Sequence, residues 1–440
     1  METVNIGKIT GPVDIRGEVP GSKSMIARAM VFAALSDGKC VISNAFLGED
    51  GRVMLNALRD LGFQVYYNAA MKVVRVYGKG GDIPKKEATV YAGSAGTAAR
   101  FLTAMLAFSD GIFTVNASPQ LCHRPMAGLI SALKNLGIKV KCLGREGHLP
   151  IRIFGKRPKA GMPIKVSVDA LESTQFVSGL LMALGCLPNE STISVMNKTH
   201  NSYIDMTVKM ARRFGCDIET ADNVYKVKGL GAYSFTDIEA EPDVSAACYF
   251  YAIPMLLKGK ATVSGITGNS IQGDMQFLSL MEQMGAKIVT EENGEISLEN
   301  SAESMLEGNI TVDMSDFSDQ VSTVSVIASL RRGSTRLTNI GHIKKQESNR
   351  VLVVCENLEK CGIKCSRGKD YIVIEGGTPK GAVIDPHRDH RMAMSFAILG
   401  LITGDMRIKD YTCVDKTFPG FFDELKRVTD EYTEKEQYSV

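Results

Sequence analysis

Residues 58–65 read LRDLGFQV, and the pattern returns as LKNLGIKV at 133–140, ARRFGCDI at 211–218, MEQMGAKI at 281–288 and LEKCGIKC at 358–365. Each stretch combines the end of an amphipathic helix, a glycine where the chain must turn left-handed to leave that helix, and the start of an alternating strand. The five glycines, Gly62, Gly137, Gly215, Gly285 and Gly362, lie 75, 78, 70 and 77 residues apart. One helix–Gly–strand junction is ordinary in any α/β protein. Five at near-equal spacing indicate a repeated unit, and six such units would fill the 440 residues.

Each repeat also holds a second kind of helix. Thr174–Leu187 (TQFVSGLLMALGCL) is apolar nearly all round, and Ser245–Leu257 and Val321–Leu330 are similar. A helix without a polar face is enclosed on every side. The expected fold class is therefore α/β, with one buried helix, one amphipathic helix and outer strands in each repeat. Buried helices that run parallel point their N-termini one way and create a field that attracts anions.

Charges nearly cancel: 51 Lys and Arg against 49 Asp and Glu leave +2. That argues against a general nucleic-acid binder and leaves room for local basic clusters. The longest strongly apolar runs, Val177–Leu187 and Met392–Ile402, are too short to span a bilayer. The start METVNIGKI has no apolar core of a signal peptide. The ten cysteines are scattered, and Cys355, Cys361 and Cys365 lack the spacing of a zinc site. They read as reduced thiols of a cytoplasmic protein.

The stretch EVPGSKSMIARAM at 18–30 nearly spells a phosphate-binding loop. It fails because Gly17 and Gly21 are one residue too close and Ser22 separates Gly21 from Lys23. Other basic or small residues sit at turn–helix junctions: Arg28, Gly93-Ser-Ala-Gly-Thr97 with Arg100, Arg124, Ser173-Thr174-Gln175, Arg350, His390-Arg391 and Lys416. Unsatisfied N–H groups at a helix start together with a cation suit an oxyanion. Taken singly, each is better explained by a helix cap or a solvated charge; the set points to an anionic substrate. Asp319 and Glu347 lie among these cations, where an acid can carry a proton. His387 and His390 do not suggest a metal, because Arg388 and Arg391 interleave them.

Together these residues resemble the 5-enolpyruvylshikimate-3-phosphate synthase family, the 3-phosphoshikimate 1-carboxyvinyltransferases. The resemblance rests on PGSKS with Arg28 at 20–28, GSAGT at 93–97, RPM at 124–126, STQ at 173–175, YIDMT at 203–207 and SIQGD at 270–274. It continues through the Asp319 segment, Glu347 to Arg350, DHRMAM at 389–394 and KTFP at 416–419. It implies a two-domain inside-out α/β barrel, each domain of three repeats with buried parallel helices and outer sheets. Residues 22–241 would form one domain, and 1–21 with 242–440 the other, with the active site in the cleft between them. The implied reaction joins phosphoenolpyruvate to the 5-hydroxyl of shikimate 3-phosphate through a tetrahedral ketal. It uses no cofactor and no metal, and the implied protein is a monomer without nucleic-acid or membrane partners.

The resemblance also implies roles. Lys23, Gly96, Arg124, Gln175, Arg350, His390, Arg391 and Lys416 would surround phosphoenolpyruvate. Lys23, Ser24, Arg28, Ser173, Thr174, Gln175, His200, Asp319, His342 and Gln346 would hold the acceptor. Lys23, Asp319, Glu347 and Lys416 would be catalytic, with Asp319 orienting or deprotonating the hydroxyl and Glu347 handling the proton at C3. Glyphosate would compete with phosphoenolpyruvate beside Gly96.

The sequence departs from the family pattern mainly on the acceptor side. Gln346-Glu-Ser-Asn349-Arg350 stands where the family has Lys-Glu-Ser-Asp-Arg, and that Lys helps hold the 3-phosphate. His342 replaces an Asn, Ser94 replaces an Asn, Phe101 replaces a Pro, and His200-Asn201-Ser202 replaces a Ser followed by a basic residue. Two other readings therefore stay open. One is a related enolpyruvyl transferase for a different hydroxylated acceptor; the other is a non-catalytic protein that binds an anionic metabolite.

Overall fold

The computed structural model describes residues 2–197, 202–301 and 307–433. The chain divides into two compact units, Gly21–Glu241 and Met1–Pro20 with Pro242–Val440.

One repeat shows the plan. Strand Glu87–Tyr91 leads into helix Gly96–Ala107, which leads into strand Gly111–Asn116. The two strands pair in parallel, with Glu87 opposite Ile112 and Tyr91 opposite Asn116. Helix Ala127–Asn135 and the antiparallel strands Lys139–Cys142 and Ile151–Gly155 complete the repeat. Alternation decides which face the strands bury: Phe113 and Val115 turn inward, while Ile112 just before them is exposed. The helix within the parallel crossover is buried almost from end to end, from Ala98 to Ala107. The second helix buries one stripe, Leu129, Ile130, Ala132 and Leu133.

The same order recurs around the helices Lys23–Leu35 and Gln175–Gly185 of the first unit and Val244–Leu257, Val321–Ala328 and His390–Thr403 of the second. Inside each unit these long apolar helices pack against one another, and the sheets lie outside them. Among the described residues this gives five four-stranded sheets and one three-stranded sheet.

In each unit one repeat takes its first strand from a distant part of the sequence. Ile238–Glu239 pairs in parallel with Lys39–Ser43, and Val13–Gly17 with Gly259–Thr267. The backbone closes each unit beside these strands: Ser22 N donates to Glu241 O at 2.7 Å in one, and Asp243 N to Pro20 O at 2.8 Å in the other. The sixth repeat has only Val383–Ile384, Met406–Lys409 and the N-terminal strand Thr3–Ile6. Its amphipathic helix, Phe421–Thr429, runs into a 3-10 turn rather than a strand. That is why the glycine signal appears five times and not six.

The five glycines all have left-handed backbones, with φ between 80° at Gly137 and 103° at Gly285. All ten cysteines are free thiols, and among the described residues no helix is long and apolar enough to cross a membrane.

Gly137 isolates the backbone term, because an added Cβ would meet nothing within 4 Å. Gly137→Ala is expected to destabilise its unit by about 1 kcal/mol, the cost of a left-handed alanine. Gly137→Asn, which tolerates that conformation, is expected to lose less than half as much. Urea denaturation measures both; equal losses would contradict the left-handed-turn account.

Candidate active site

In the unit Gly21–Glu241 the expected residues gather at the starts of the buried helices. Lys23 and Ser24 open helix Lys23–Leu35, Gly96 opens Gly96–Ala107, and Gln175 opens Gln175–Gly185 directly after Ser173 and Thr174. Arg124 lies in the turn between Pro119–Cys122 and Ala127–Asn135. His200 falls outside the described residues.

Gln175 ties two of these helices together. Its Oε1 accepts from Arg100 Nη1 at 2.7 Å, and its Nε2 donates to Thr97 Oγ1 at 2.8 Å. Gly96 leaves room for two guanidinium groups: a Cβ there would stand 2.9 Å from Arg100 Nη1 and 2.9 Å from Arg124 Nη1. Lys23 Nζ donates to Asp50 Oδ2 at 3.2 Å. Ser94, in place of the family Asn, shares a hydrogen bond with Ser118 at 2.9 Å.

Arg28 is 1% exposed. Its Nε donates to Thr207 Oγ1 at 2.7 Å, Nη1 to Ser24 O at 2.9 Å, and Nη2 to Tyr203 O at 3.0 Å and Ser178 Oγ at 3.4 Å. Its guanidinium lies over the ring of Phe101, 5.1 Å from the centroid. It has no carboxylate partner among the described residues, and burial lowers it to about 10. Most of its donors are already committed, so it braces Ser24 more than it reaches outward.

The second unit holds the carboxylates. Asp319 lies in the turn Ser318–Gln320 ahead of helix Val321–Ala328, and Glu347 precedes helix Arg350–Lys360. His390 and Arg391 open helix His390–Thr403, and Lys416 ends the turn Tyr411–Lys416. Arg350, only 2% exposed, is their centre. Its Nη1 donates to Asp319 Oδ1 at 2.8 Å and to Gln346 Oε1; its Nη2 donates to Glu347 Oε2 at 2.9 Å and Asp389 Oδ1 at 3.3 Å; its Nε donates to Asp389 Oδ2 at 2.8 Å. All five N–H groups of the guanidinium are thus engaged. Burial pulls Arg350 down, but Asp389, Glu347 and Asp319 outweigh it and hold the charge more firmly than in free arginine.

The network spreads through the two carboxylates. Asp319 Oδ2 accepts from Arg391 Nη2 at 2.6 Å, and Glu347 Oε1 accepts from Lys416 Nζ at 3.0 Å. Three cations and three carboxylates therefore balance in a desolvated cluster, where charge-assisted bonds are strong. Beside it, His342 Nε2 and Ser318 Oγ share a hydrogen bond at 2.9 Å. Burial lowers the His342 imidazole, favouring its neutral form.

Asp50 and Asp389 have no role in the sequence reading, and Thr97 and Arg100 enter it only as members of the turn–helix set. Asp389 was detectable as the polar residue ahead of an apolar helix: it caps His390–Thr403 by accepting from Arg391 N at 3.1 Å. Its second role, as counter-ion to a residue 39 positions away, has no local signature.

A buried-helix scaffold that places cations and two carboxylates at helix starts and in the turns beside them is the architecture of an enzyme for anionic metabolites. A family model described as EPSP synthase (3-phosphoshikimate 1-carboxyvinyltransferase) matches residues 6–425. The 3-phosphoshikimate 1-carboxyvinyltransferase of Trichormus variabilis is 36% identical over 424 residues, 96% of this chain and 98% of that protein. The protein of the same name from Methanospirillum hungatei is 34% identical over 430 residues, 97% of this chain and 98% of its own length. The EPSP synthase structure from Acinetobacter baumannii superimposes with a TM-score of 0.79 at 26% identity, covering 98% of both chains. The chain belongs to the EPSP synthase family.

Asp389 is 0% exposed and bonds Arg350 through both oxygens. Asp389→Ala is expected to cost about 3 kcal/mol or more, because it strands a buried guanidinium. Denaturant titration of parent and variant reads the loss; a change below about 1 kcal/mol would show that Asp319 and Glu347 alone hold Arg350.

Proposed function

We propose that this chain transfers the enolpyruvyl group of phosphoenolpyruvate to the 5-hydroxyl of shikimate 3-phosphate and releases phosphate. The observation that carries the reading is the shared arginine: Asp319 and Glu347 both bond Arg350, with Arg391 and Lys416 on their other oxygens. Two carboxylates of this kind suit a reaction with two proton movements at different atoms.

Asp319 accepts the hydroxyl proton as the acceptor oxygen attacks C2 of phosphoenolpyruvate. Glu347, once it has taken up a proton from solvent, gives that proton to C3, and a tetrahedral ketal results. Phosphate then leaves, and Glu347 takes a proton back from C3. Lys23, Arg124, Arg391 and Lys416 neutralise the carboxylate and phosphate of phosphoenolpyruvate, and His390 borders them. Arg100 joins Arg124 in this role, since both guanidinium groups converge on Gly96. Arg350 acts chiefly by holding the two carboxylates, because direct contact with substrate would require it to release one of its present acceptors. Ser24, Ser173, Thr174 and Gln175 receive the acceptor, with Arg28 bracing Ser24.

A second reading has its own support. Gln346 is neutral where the family carries Lys, and its Oε1 already accepts from Arg350. His342 beside it is also held neutral. A less charged pocket suits a hydroxylated acceptor other than shikimate 3-phosphate. Phosphate release from phosphoenolpyruvate with shikimate 3-phosphate, compared with unphosphorylated shikimate, separates the readings. One phosphate per shikimate 3-phosphate consumed supports the first; release only with the other acceptor overturns it. Glu347→Gln is expected to lower kcat by about two to four powers of ten with acceptor affinity retained. Turnover within threefold of the parent would remove Glu347 from the mechanism.

Glyphosate is expected to compete with phosphoenolpyruvate. Phe101 is fully buried beneath Arg28 and sits well inside helix Gly96–Ala107. Proline, the family residue at this position, would also empty the buried space beneath Arg28, so Phe101→Pro changes packing together with the helix and is the less specific probe. Gly96→Ala is the better one, because its Cβ would press on Arg100 and Arg124, which are flexible enough to move. The variant is expected to fold, to need severalfold more phosphoenolpyruvate, and to lose glyphosate inhibition to a larger extent. Equal inhibition of parent and variant in steady-state assays would show that Gly96 does not border the inhibitor.

A further inference from the structure

The segment SIQGD at 270–274 has no part in the chemistry above, yet it is fastened to the start of helix Val244–Leu257. Gln272 Oε1 accepts from Val244 N at 3.1 Å, and its Nε2 donates to Pro242 O at 2.8 Å. Ser245 Oγ donates to Asp274 Oδ2. The same Ser245 accepts, through its carbonyl, from Gln320 Nε2 at 3.3 Å, and Gln320 directly follows Asp319. A chain of hydrogen bonds thus joins Asp274 to the turn that carries Asp319.

Asp274 is 5% exposed, and its Oδ1 is buried with no hydrogen-bond partner among the described residues. A buried carboxyl with one bare oxygen is costly unless its charge serves something nearby. The charged and titratable groups that act on it are Asp319 and Arg391 of the site and Asp243 at the helix cap, and Cys248 lies against it. Burial pushes the Cys248 thiol up, so it stays neutral. Burial, and next the Asp319 charge, raise the Asp274 carboxyl to about 6, while Arg391 and the Ser245 hydroxyl draw it back. Asp274 is therefore charged at neutral pH and loses that charge within the mildly acid range.

We propose that Asp274 is a positioning residue for the reaction: its buried carboxylate, anchored on Ser245, sets the proton affinity of Asp319 and the strength with which Arg391 binds an anion. The inference rests on the function proposed above. A negative charge behind Asp319 makes that carboxylate a stronger base for the acceptor hydroxyl. The same charge competes for Arg391 and weakens its hold on phosphoenolpyruvate. Asp274 thus favours turnover at the expense of substrate affinity.

The test uses the full-length parent, Asp274→Asn and Ser245→Ala. Phosphate release gives kcat, and calorimetry with phosphoenolpyruvate alone gives Kd, each from pH 5 to 8. At pH 7.5 Asp274→Asn is expected to lose about tenfold in kcat and to bind phosphoenolpyruvate about three- to tenfold more tightly, as follows from roughly one unit of electrostatic coupling. The parent and Asp274→Asn converge toward pH 5, where the parent's carboxyl is protonated. In Ser245→Ala, which removes the donor that favours the charged form, the convergence begins at a higher pH. Misfolding or simple structural damage would worsen kcat and Kd together, which overturns the proposal. So does a Kd for Asp274→Asn within twofold of the parent at pH 7.5, or a difference that does not change with pH. The calorimetric arm needs no acceptor: absent phosphate release by the parent refutes the functional reading, while an unchanged Kd refutes the role of Asp274.

Discussion

The second unit depends on one buried guanidinium. Arg350 gives all five of its N–H groups to Asp319, Gln346, Glu347 and Asp389, drawn from three stretches of sequence. Desolvating an arginine this fully is unfavourable unless every donor is met and the charge is matched. The match fixes where Asp319 and Glu347 stand, and through them where Arg391 and Lys416 point. In the other unit the neutral amide of Gln175 has the comparable task, joining its own helix start to Thr97 and Arg100 of another. Both arrangements put functional side chains on helix ends and not on long loops, so their geometry is set by packed apolar helices.

The architecture explains why a nearly neutral chain can bind anions. Each buried helix is flanked by sheets and by its fellows, so its N-terminal N–H groups sit in a poorly solvated surrounding where their partial charge is weakly screened. Lys23, Gly96, Gln175, Arg350 and His390 are each the first residue of a helix. Local cations and helix ends supply the field, and surface acids elsewhere cancel the total.

Much of this was legible in the sequence because it is periodic. The left-handed glycines and the all-apolar helices are local signals, and they reported both the repeat and the inside position of the helices. Asp319 and Glu347 stood out as acids among cations. Asp50 and Asp389 did not, since an acid before a helix reads first as a cap, and its ion pair depends on a partner brought close only by folding. The partners of Arg28 are equally hidden from the sequence, since Thr207, Ser178 and the Tyr203 carbonyl come to it from more than 100 residues away. The three-stranded sixth sheet was also hidden, because its N-terminal strand comes from the opposite end of the chain.

The central claim is that a carboxylate held on Arg350 moves a proton to and from C3 during enolpyruvyl transfer. Running the reaction in deuterium oxide with phosphoenolpyruvate and shikimate 3-phosphate, and analysing the product by proton NMR and mass, tests it most directly. The account predicts deuterium at C3 of the enolpyruvyl product in the parent, because C3 is a methyl group in the ketal. A product formed at full rate with no label at C3 would mean that the carbon is never protonated, and would contradict the account.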